Sequence, residues 1–477
     1  MRGEEMTAVI GFLNTVFWGY VLIYGLLAVG LYFTIRLKLI QILHFGEMFR
    51  VLGRSQSEDK AGISPFQALT VSLASRVGTG NLAGVAVALY LGGPGATFWM
   101  WMVALVGMAT AYSESALAQL YKVKNEEGMY RGGPAFYIAR GLGAPWAGVI
   151  FSICLILSFG LVFNAVQANS IADAMQGAFG LPKIGVGIGL AILSGIVIFG
   201  GIRQIARVAE VIVPFMAIAY LLMAIYVLIT HANLVPGVIG TIVGGAFGWQ
   251  EAAGGVTGGI MAAMMNGVKR GLFSNEAGMG SAPNIAAVAT PDPHHPSSQG
   301  FVQALGVFID TILICTATSV MILLSGTLVP GSGVTGTQLT QAAMNAHIGA
   351  FGTYFIAIAI FFFAFTSIIG NYSYAENALT FLGAGNRMGL AIMRSAVLAM
   401  VIWGAYESVT TVFDAADASM GLMATINLIA ILLLSGTVVK LTQDYFDQRK
   451  AGTVPVFHAA DYPELKGKID SSIWTRD

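Results

Sequence analysis

Eleven apolar stretches, most of about 20 residues or more, run through this 477-residue chain, at about 8–35, 65–91, 95–121, 146–176, 184–202, 206–230, 250–290, 299–329, 347–382, 388–406 and 414–440. A helix needs about 20 mostly apolar residues to cross a hydrocarbon core. Lipid cannot bond exposed backbone N–H and C=O groups, so such stretches fold as spanning helices. A β-barrel would show weaker, alternating segments of about ten residues. The charge content agrees: only 10% of residues are Asp, Glu, Lys or Arg, against roughly 25% in a soluble domain. That excludes a soluble enzyme, a nucleic-acid binder and a disordered scaffold. With 24 basic and 24 acidic residues, net charge points to no polyanionic partner. The first stretch exceeds the 7–15-residue apolar core of a typical signal peptide and no small-residue cleavage site follows, so it is expected to be a retained helix. Cys154 and Cys315 both lie in apolar runs and offer neither a disulfide framework nor a metal cluster.

Lys and Arg set the expected orientation, because short cytoplasmic loops are enriched in them. With the N-terminus outside, nineteen of the 24 fall on the inner side: five in 36–64, four in 122–145, then Arg203 and Arg207, Arg387 and Arg394, and six from residue 440 onward. Arg2 and Lys183 fall outside, and Arg76, Lys269 and Arg270 at membrane depth. The expectation is a multi-pass plasma (inner) membrane protein with a cytoplasmic C-terminus. Residues 1–64 supply an extra helix and loop, 65–230 and 231–440 two halves, and 441–477 a polar tail without its own core.

Two stretches are interrupted, 65–91 by Ser75-Arg76-Val77-Gly78-Thr79-Gly80-Asn81 and 250–290 by the run from Gly271 to Gly280. Each Gly weakens a helix by about 1 kcal/mol relative to Ala. Close helix packing is one use for such glycines. Polar neighbours in mid-span favour another, since irregular backbone at depth survives only inside protein or beside a watery cavity. A half-helix that starts after a break presents free N–H groups to a carboxylate; one that ends before it presents carbonyl oxygens to a cation. With the first helix set aside, the interrupted stretches are the first and sixth of ten and run in opposite directions. Interrupted helices at matching positions of two inverted halves mark the site of a secondary transporter.

Val77-Gly78-Thr79-Gly80-Asn81 resembles the unwound first core helix of LeuT-type sodium symporters. SLASRVGTGNLAGVAVAL (72–89), RGGPAFY (131–137), VQANS (166–170) and GLFSNEAGMGSAP (271–283) resemble the alanine-or-glycine:cation symporter family, and the likeness runs from about residue 12 to 450. The resemblance implies an all-α polytopic membrane protein of eleven transmembrane helices: a LeuT-like 5+5 inverted-repeat core preceded by one extra helix, with two broken helices at the midplane. It implies that the N–H groups of Thr79 and Gly80 receive a substrate carboxylate and that Gln167 faces the substrate. It also implies a sodium site of Ala74, Val77 and Phe363 carbonyls with Thr366 and Ser367 hydroxyls. Family members often carry Trp where this chain has Asn371. The smaller residue implies a roomier pocket and keeps glutamine-sized substrates open.

Other candidates come from the residues themselves. Gly80 allows close approach to the backbone. Asn81 is either a ligand-side hydrogen bonder or a cap for the second half-helix. Asn164 and Gln167, three apart, share a helix face, where bonding between helices is the alternative use. Asn169 and Ser170 lie off that stripe and read as packing groups. Ser274 and Asn275 in the second break offer carbonyls and side chains to a substrate ammonium. For Thr366 and Ser367 the alternative is a bond back to a carbonyl one turn earlier. Ionisable residues at depth need partners: Arg76, expected to pair with an acid, and Glu114, Asp173, Lys269, Arg270, Glu276, Asp310 and Glu376. His294 and His295, between Pro293 and Pro296, point to different sides and are not expected to share a metal.

The expected function is sodium-coupled symport of a small neutral amino acid, alanine or glycine first, with Na⁺ as coupling ion and no organic cofactor. A larger substrate such as glutamine, or proton coupling, is the nearer alternative. An ion channel is the rival of another class, since broken helices also line filters, although here the two breaks differ within one chain. The spans hold no HExxH or GxSxG motif, which argues against an enzyme. The partners expected are the amino acid and membrane lipid, with no nucleic acid.

Overall fold

The computed structural model describes residues 2–54, 61–248 and 258–475. The start of the stretch at 250, and Lys60 and Arg476 of the charge count, lie outside them. Among the described residues, eight helices are long and apolar enough to cross a membrane: Val9–Arg36, Gly95–Leu120, Pro145–Phe179, Gly201–Thr230, Pro296–Ser325, Ala350–Phe381, Arg387–Tyr406 and Val409–Leu433. The stretch at 184–202 forms the shorter helix Lys183–Ile198. A two-residue hairpin, Val123–Lys124 against Tyr130–Arg131, is antiparallel.

The other two stretches are divided. Pro65–Arg76 begins at a capping box between Ser64 and Gln67 with Pro65 in the first turn, which satisfies the otherwise unbonded N–H groups of a helix start. Helical geometry stops at Val77, with ψ 90°, and resumes as Gly80–Gly92. Gly258–Asn275 ends in a turn where Glu276, Gly278 and Gly280 have φ of 60°, 87° and 80°. Glycine adopts that region without steric cost. Glu276 is held there by Ser75 and Ser281, whose hydroxyls lie 2.8 and 2.6 Å from its carboxylate. The chain restarts as Pro283–Val288.

Two regions between the apolar stretches contain helices, Val235–Ala246 and Gly336–Ile348. The second buries Leu339, Ala343 and Met344 and lies against the first broken helix, where Thr340 Oγ1 donates to the Leu82 carbonyl (3.0 Å). The tail also differs from a loose extension. Helix Ser435–Lys450 leads into a segment whose Phe457, Leu465, Ile469 and Trp474 are buried in the same core as the apolar helices. The Phe457 N–H donates to the His294 carbonyl (2.9 Å). His294 Nε2 meets the Ile473 carbonyl and His295 Nε2 meets Asp444, so the paired histidines serve separate tail contacts.

Candidate functional site

All thirteen candidate residues are buried. The break at 77–79 explains how they are arranged. In an unbroken helix the Gly78 and Thr79 N–H groups would bond the Ala74 and Ser75 carbonyls. Here the Gly78 N–H donates to Asn81 Oδ1 (2.9 Å) and the Thr79 N–H to Gln167 Oε1 (3.0 Å). The Ala74 carbonyl is thereby released to another helix. Ser367 Oγ lies 2.8 Å from it and 3.0 Å from the Phe363 carbonyl, while Thr366 Oγ1 donates to the Phe363 carbonyl at 2.9 Å. Four oxygens from two helices therefore converge where the cation was expected. Both hydroxyls also have the intrahelical contact of the alternative reading, and Ser367 alone reaches across. The Val77 N–H bonds the Leu73 carbonyl at 2.7 Å.

Gly78 leaves room for nothing more. A Cβ there would lie 2.3 Å from Ser367 Oγ and 2.7 Å from Gln167 Oε1. Gly80 faces the second break, not open space: its Cβ would meet Ser274 Cα at 3.0 Å and Phe273 Cδ1 at 3.2 Å. The two interrupted helices touch at this point.

Asp310 joins them from a third helix. Asn81 Nδ2 donates to Asp310 Oδ1 (2.7 Å) and to its carbonyl (3.1 Å), and the Ser274 and Thr311 hydroxyls donate to Oδ2 at 2.9 and 2.7 Å. Asn81 is thus a brace between the break and Asp310. The sequence alone marks Asp310 only as a buried charge in want of a partner. It lies in a π-helical stretch, Phe308–Cys315, and two more such stretches, Gly80–Gly84 and Ile156–Val162, contain Gly80 and Asn81 or lead into Asn164. Widened helical turns of this kind gather at functional sites, and no local sequence signal announced them.

Asn164 and Asn371 form a strut. Asn371 Nδ2 donates to Asn164 Oδ1 (3.1 Å), and the Asn164 amide also bonds the Gly160 carbonyl (2.9 Å). Asn371 Oδ1 is within hydrogen-bond reach of Ser75 Oγ. Ser75, missed in the sequence, so connects Asn371 to Glu276 in the second break. Asn371 is 1% exposed, held between the Asn164 amide and Ser75. Asn275 Oδ1 accepts from the Ala277 N–H (3.0 Å). Thr79 Oγ1 and Asn275 Nδ2, like Arg76 Nε and Nη2, are buried at the breaks without a hydrogen-bond partner among the described residues. Asn169 donates to the Gly404 and Glu407 carbonyls, a packing role.

The charges at depth find partners that the sequence could not name. Lys269 and Arg270 both contact Asp417 Oδ2 at 2.6 Å. Asp173 pairs with Lys183 and Glu376 with Arg131. Glu114 accepts from the Gly278 N–H and from Asn427. Arg76, expected to pair with an acid, instead donates to the Gln303 carbonyl (3.1 Å), and among the described residues no carboxylate lies within salt-bridge distance of it.

A family profile described as the sodium:alanine symporter family matches residues 3–459. An amino-acid carrier protein of Bacillus subtilis, AlsT, is 52% identical over 449 residues, covering 94% of each chain. A probable sodium/glutamine symporter of the same organism, GlnT, is 47% identical over 451 residues, covering 94% of this chain and 93% of its own. Among solved structures, MhsT in complex with L-phenylalanine superposes with a TM-score of 0.51 at 16% identity, over 82% of this chain and 93% of that one, a likeness of fold.

Proposed function

The chain belongs to the sodium:alanine symporter family, and from that premise we propose that its two helix breaks hold the amino acid and the coupling ion of a sodium symporter. It is a sodium-coupled amino-acid symporter and not an enzyme. The substrate proposed is alanine, after the family description; glutamine, named for one relative, is the competitor against which it is to be measured. The architecture proposed is eleven spanning helices, the first an extra one, then two inverted repeats at 65–230 and 231–440, with the C-terminus cytoplasmic. A reporter fused after residue 477 should therefore read as cytoplasmic, and an extracellular reading overturns the helix count.

The observation that carries the site assignment is the Thr79 N–H. It is removed from its helix and meets an amide oxygen, Gln167 Oε1, at 3.0 Å. An amide oxygen occupies the place of one carboxylate oxygen, so a bound amino acid takes over this donor while Gln167 turns aside. The unpartnered Thr79 hydroxyl and Asn275 amide nitrogen are further groups for the substrate, because leaving a buried polar group unbonded costs about 1–3 kcal/mol. Sodium binds at the Ala74, Val77 and Phe363 carbonyls and the Thr366 and Ser367 hydroxyls. It fixes the unwound segment and presents Thr79 and Gly80.

The coupling is energetically sufficient. One Na⁺ entering down 100 mV releases about 2.3 kcal/mol, and a tenfold concentration ratio adds about 1.4 kcal/mol. Together they sustain roughly a 500-fold gradient of a neutral zwitterion. Competition by alaninol tests the carboxylate assignment, since alaninol keeps the ammonium and methyl but lacks the carboxylate. It should compete poorly with labelled alanine; competition as strong as that of unlabelled alanine removes Thr79 and Gly80 from the substrate site.

A further inference from the structure

A second, larger feature lies away from the breaks. A cavity of about 960 Å³ opens between the 123–131 hairpin, the turn at 199–203 and the start of helix Arg387–Tyr406. Lys124, Arg131, Arg203 and Arg394 line it, against Glu126, Glu127 and Glu376. Glu376 is already engaged, by Arg131 Nη2 at 3.2 Å and the Tyr372 hydroxyl at 2.7 Å. Glu126 and Glu127 sit at the hairpin tip. Arg131 is only 9% exposed, and its Nε is buried without a partner among the described residues. Arg394 donates through Nε to Tyr372 (2.9 Å) and stacks over Phe199 (5.0 Å to the ring centre). The 30-residue helix Gly201–Thr230 also begins here, with no side-chain cap on its first N–H groups, and such an end favours an anion.

Phe199 lines a second, adjoining depression as well. This one is an apolar groove of about 460 Å³ between helices Lys183–Ile198 and Arg387–Tyr406, floored by Ala191 and Gly195 and walled by Ile192, Ile196, Leu398 and Ile402. A groove along two apolar helices faces hydrocarbon, and an arginine-rich cavity at its end faces headgroups. Anionic lipid headgroups are held by basic pockets between helices at the cytoplasmic boundary.

We propose that the two together bind one anionic phospholipid: its phosphate at Arg131, Arg203, Arg394 and the first turn of helix Gly201–Thr230, and one acyl chain in the groove over Gly195. The proposed orientation assigns this lipid to the inner leaflet. The retention measured needs neither that orientation nor transport, so its failure is distinct from theirs.

Native mass spectrometry of the intact protein tests it, after detergent exchange with equal amounts of phosphatidylglycerol and phosphatidylcholine. The wild type should retain phosphatidylglycerol preferentially. Arg203→Gln with Arg394→Gln should lower that retention roughly tenfold or more, at about a tenfold factor or less for each basic group near the surface. Arg203→Gln alone, at an exposed position, should give part of the loss and guards against misfolding of the double variant. Gly195→Leu should lower it too, because a Cβ there meets only Leu398 Cδ1 at 3.5 Å and a longer side chain enters the groove. Equal retention of the two lipids by the wild type overturns the proposal, as does retention unchanged in the arginine variants. Loss in the arginine variants but not in Gly195→Leu overturns the two-part site, because the groove then holds no acyl chain.

Discussion

Gly78→Ala is expected to give a folded protein that has lost sodium-coupled uptake. The added Cβ lies 2.3 Å from Ser367 Oγ and 2.7 Å from Gln167 Oε1, so both must move. Both are side-chain ends able to swing, and overpacking of this kind costs about 1–3 kcal/mol, within the roughly 5–15 kcal/mol stability of a typical protein. The functional loss is larger because the displaced atoms are the proposed cation ligand and the group that meets the Thr79 N–H. A misplacement of about 1 Å at such a site costs on the order of 100-fold. Gly80→Ala is a useful contrast. Its Cβ meets the Ser274 backbone at 3.0 Å, which cannot swing away, so both thermal stability and uptake should fall. Uptake at wild-type level in a folded Gly78→Ala protein would mean that Ser367 and Gln167 act nowhere near the transport cycle.

Thr366→Ala combined with Ser367→Ala should raise the sodium concentration needed for half-maximal uptake by roughly 30–140-fold, taking about 1–1.5 kcal/mol for each lost oxygen ligand and 1.4 kcal/mol per tenfold change. The structure gives the opposing outcome equal clarity. Both hydroxyls lie within 3.0 Å of the Phe363 carbonyl, so a purely intrahelical role is geometrically complete for Thr366. Only Ser367 reaches Ala74, across the break. If the double variant keeps its sodium dependence, and sodium stabilises it against heat as it does the wild type, the hydroxyls serve the helix alone.

The two breaks were legible in the sequence because glycine and polar residues inside a long apolar run have few physical uses. The converging oxygens at 74, 363, 366 and 367 were named only through resemblance; composition could not have placed helix Ala350–Phe381 beside Ala74. Asp310 was visible as a buried charge but not as the hub of both breaks, since its donors Asn81 and Ser274 come from helices 229 and 36 residues away. Asp417 was overlooked as the partner of Lys269 and Arg270, 147 residues from the latter, for the same reason. Asn371 was read by size alone. Its amide bonds at both ends make it a strut, which depends on neighbours that the sequence does not order in space. The tail reads as lacking its own core because its apolar residues are sparse; Phe457, Leu465, Ile469 and Trp474 need only one surface and join the main core.

Accumulation of labelled alanine in proteoliposomes, driven by an inward sodium gradient with the membrane potential clamped, tests the central claim most directly. Alanine should rise inside above its external concentration while the gradient lasts, and fall back when sodium is equalised. Replacing sodium by choline at equal osmolarity should abolish the accumulation. Alanine that only equilibrates, or that accumulates equally well without sodium, would contradict the account.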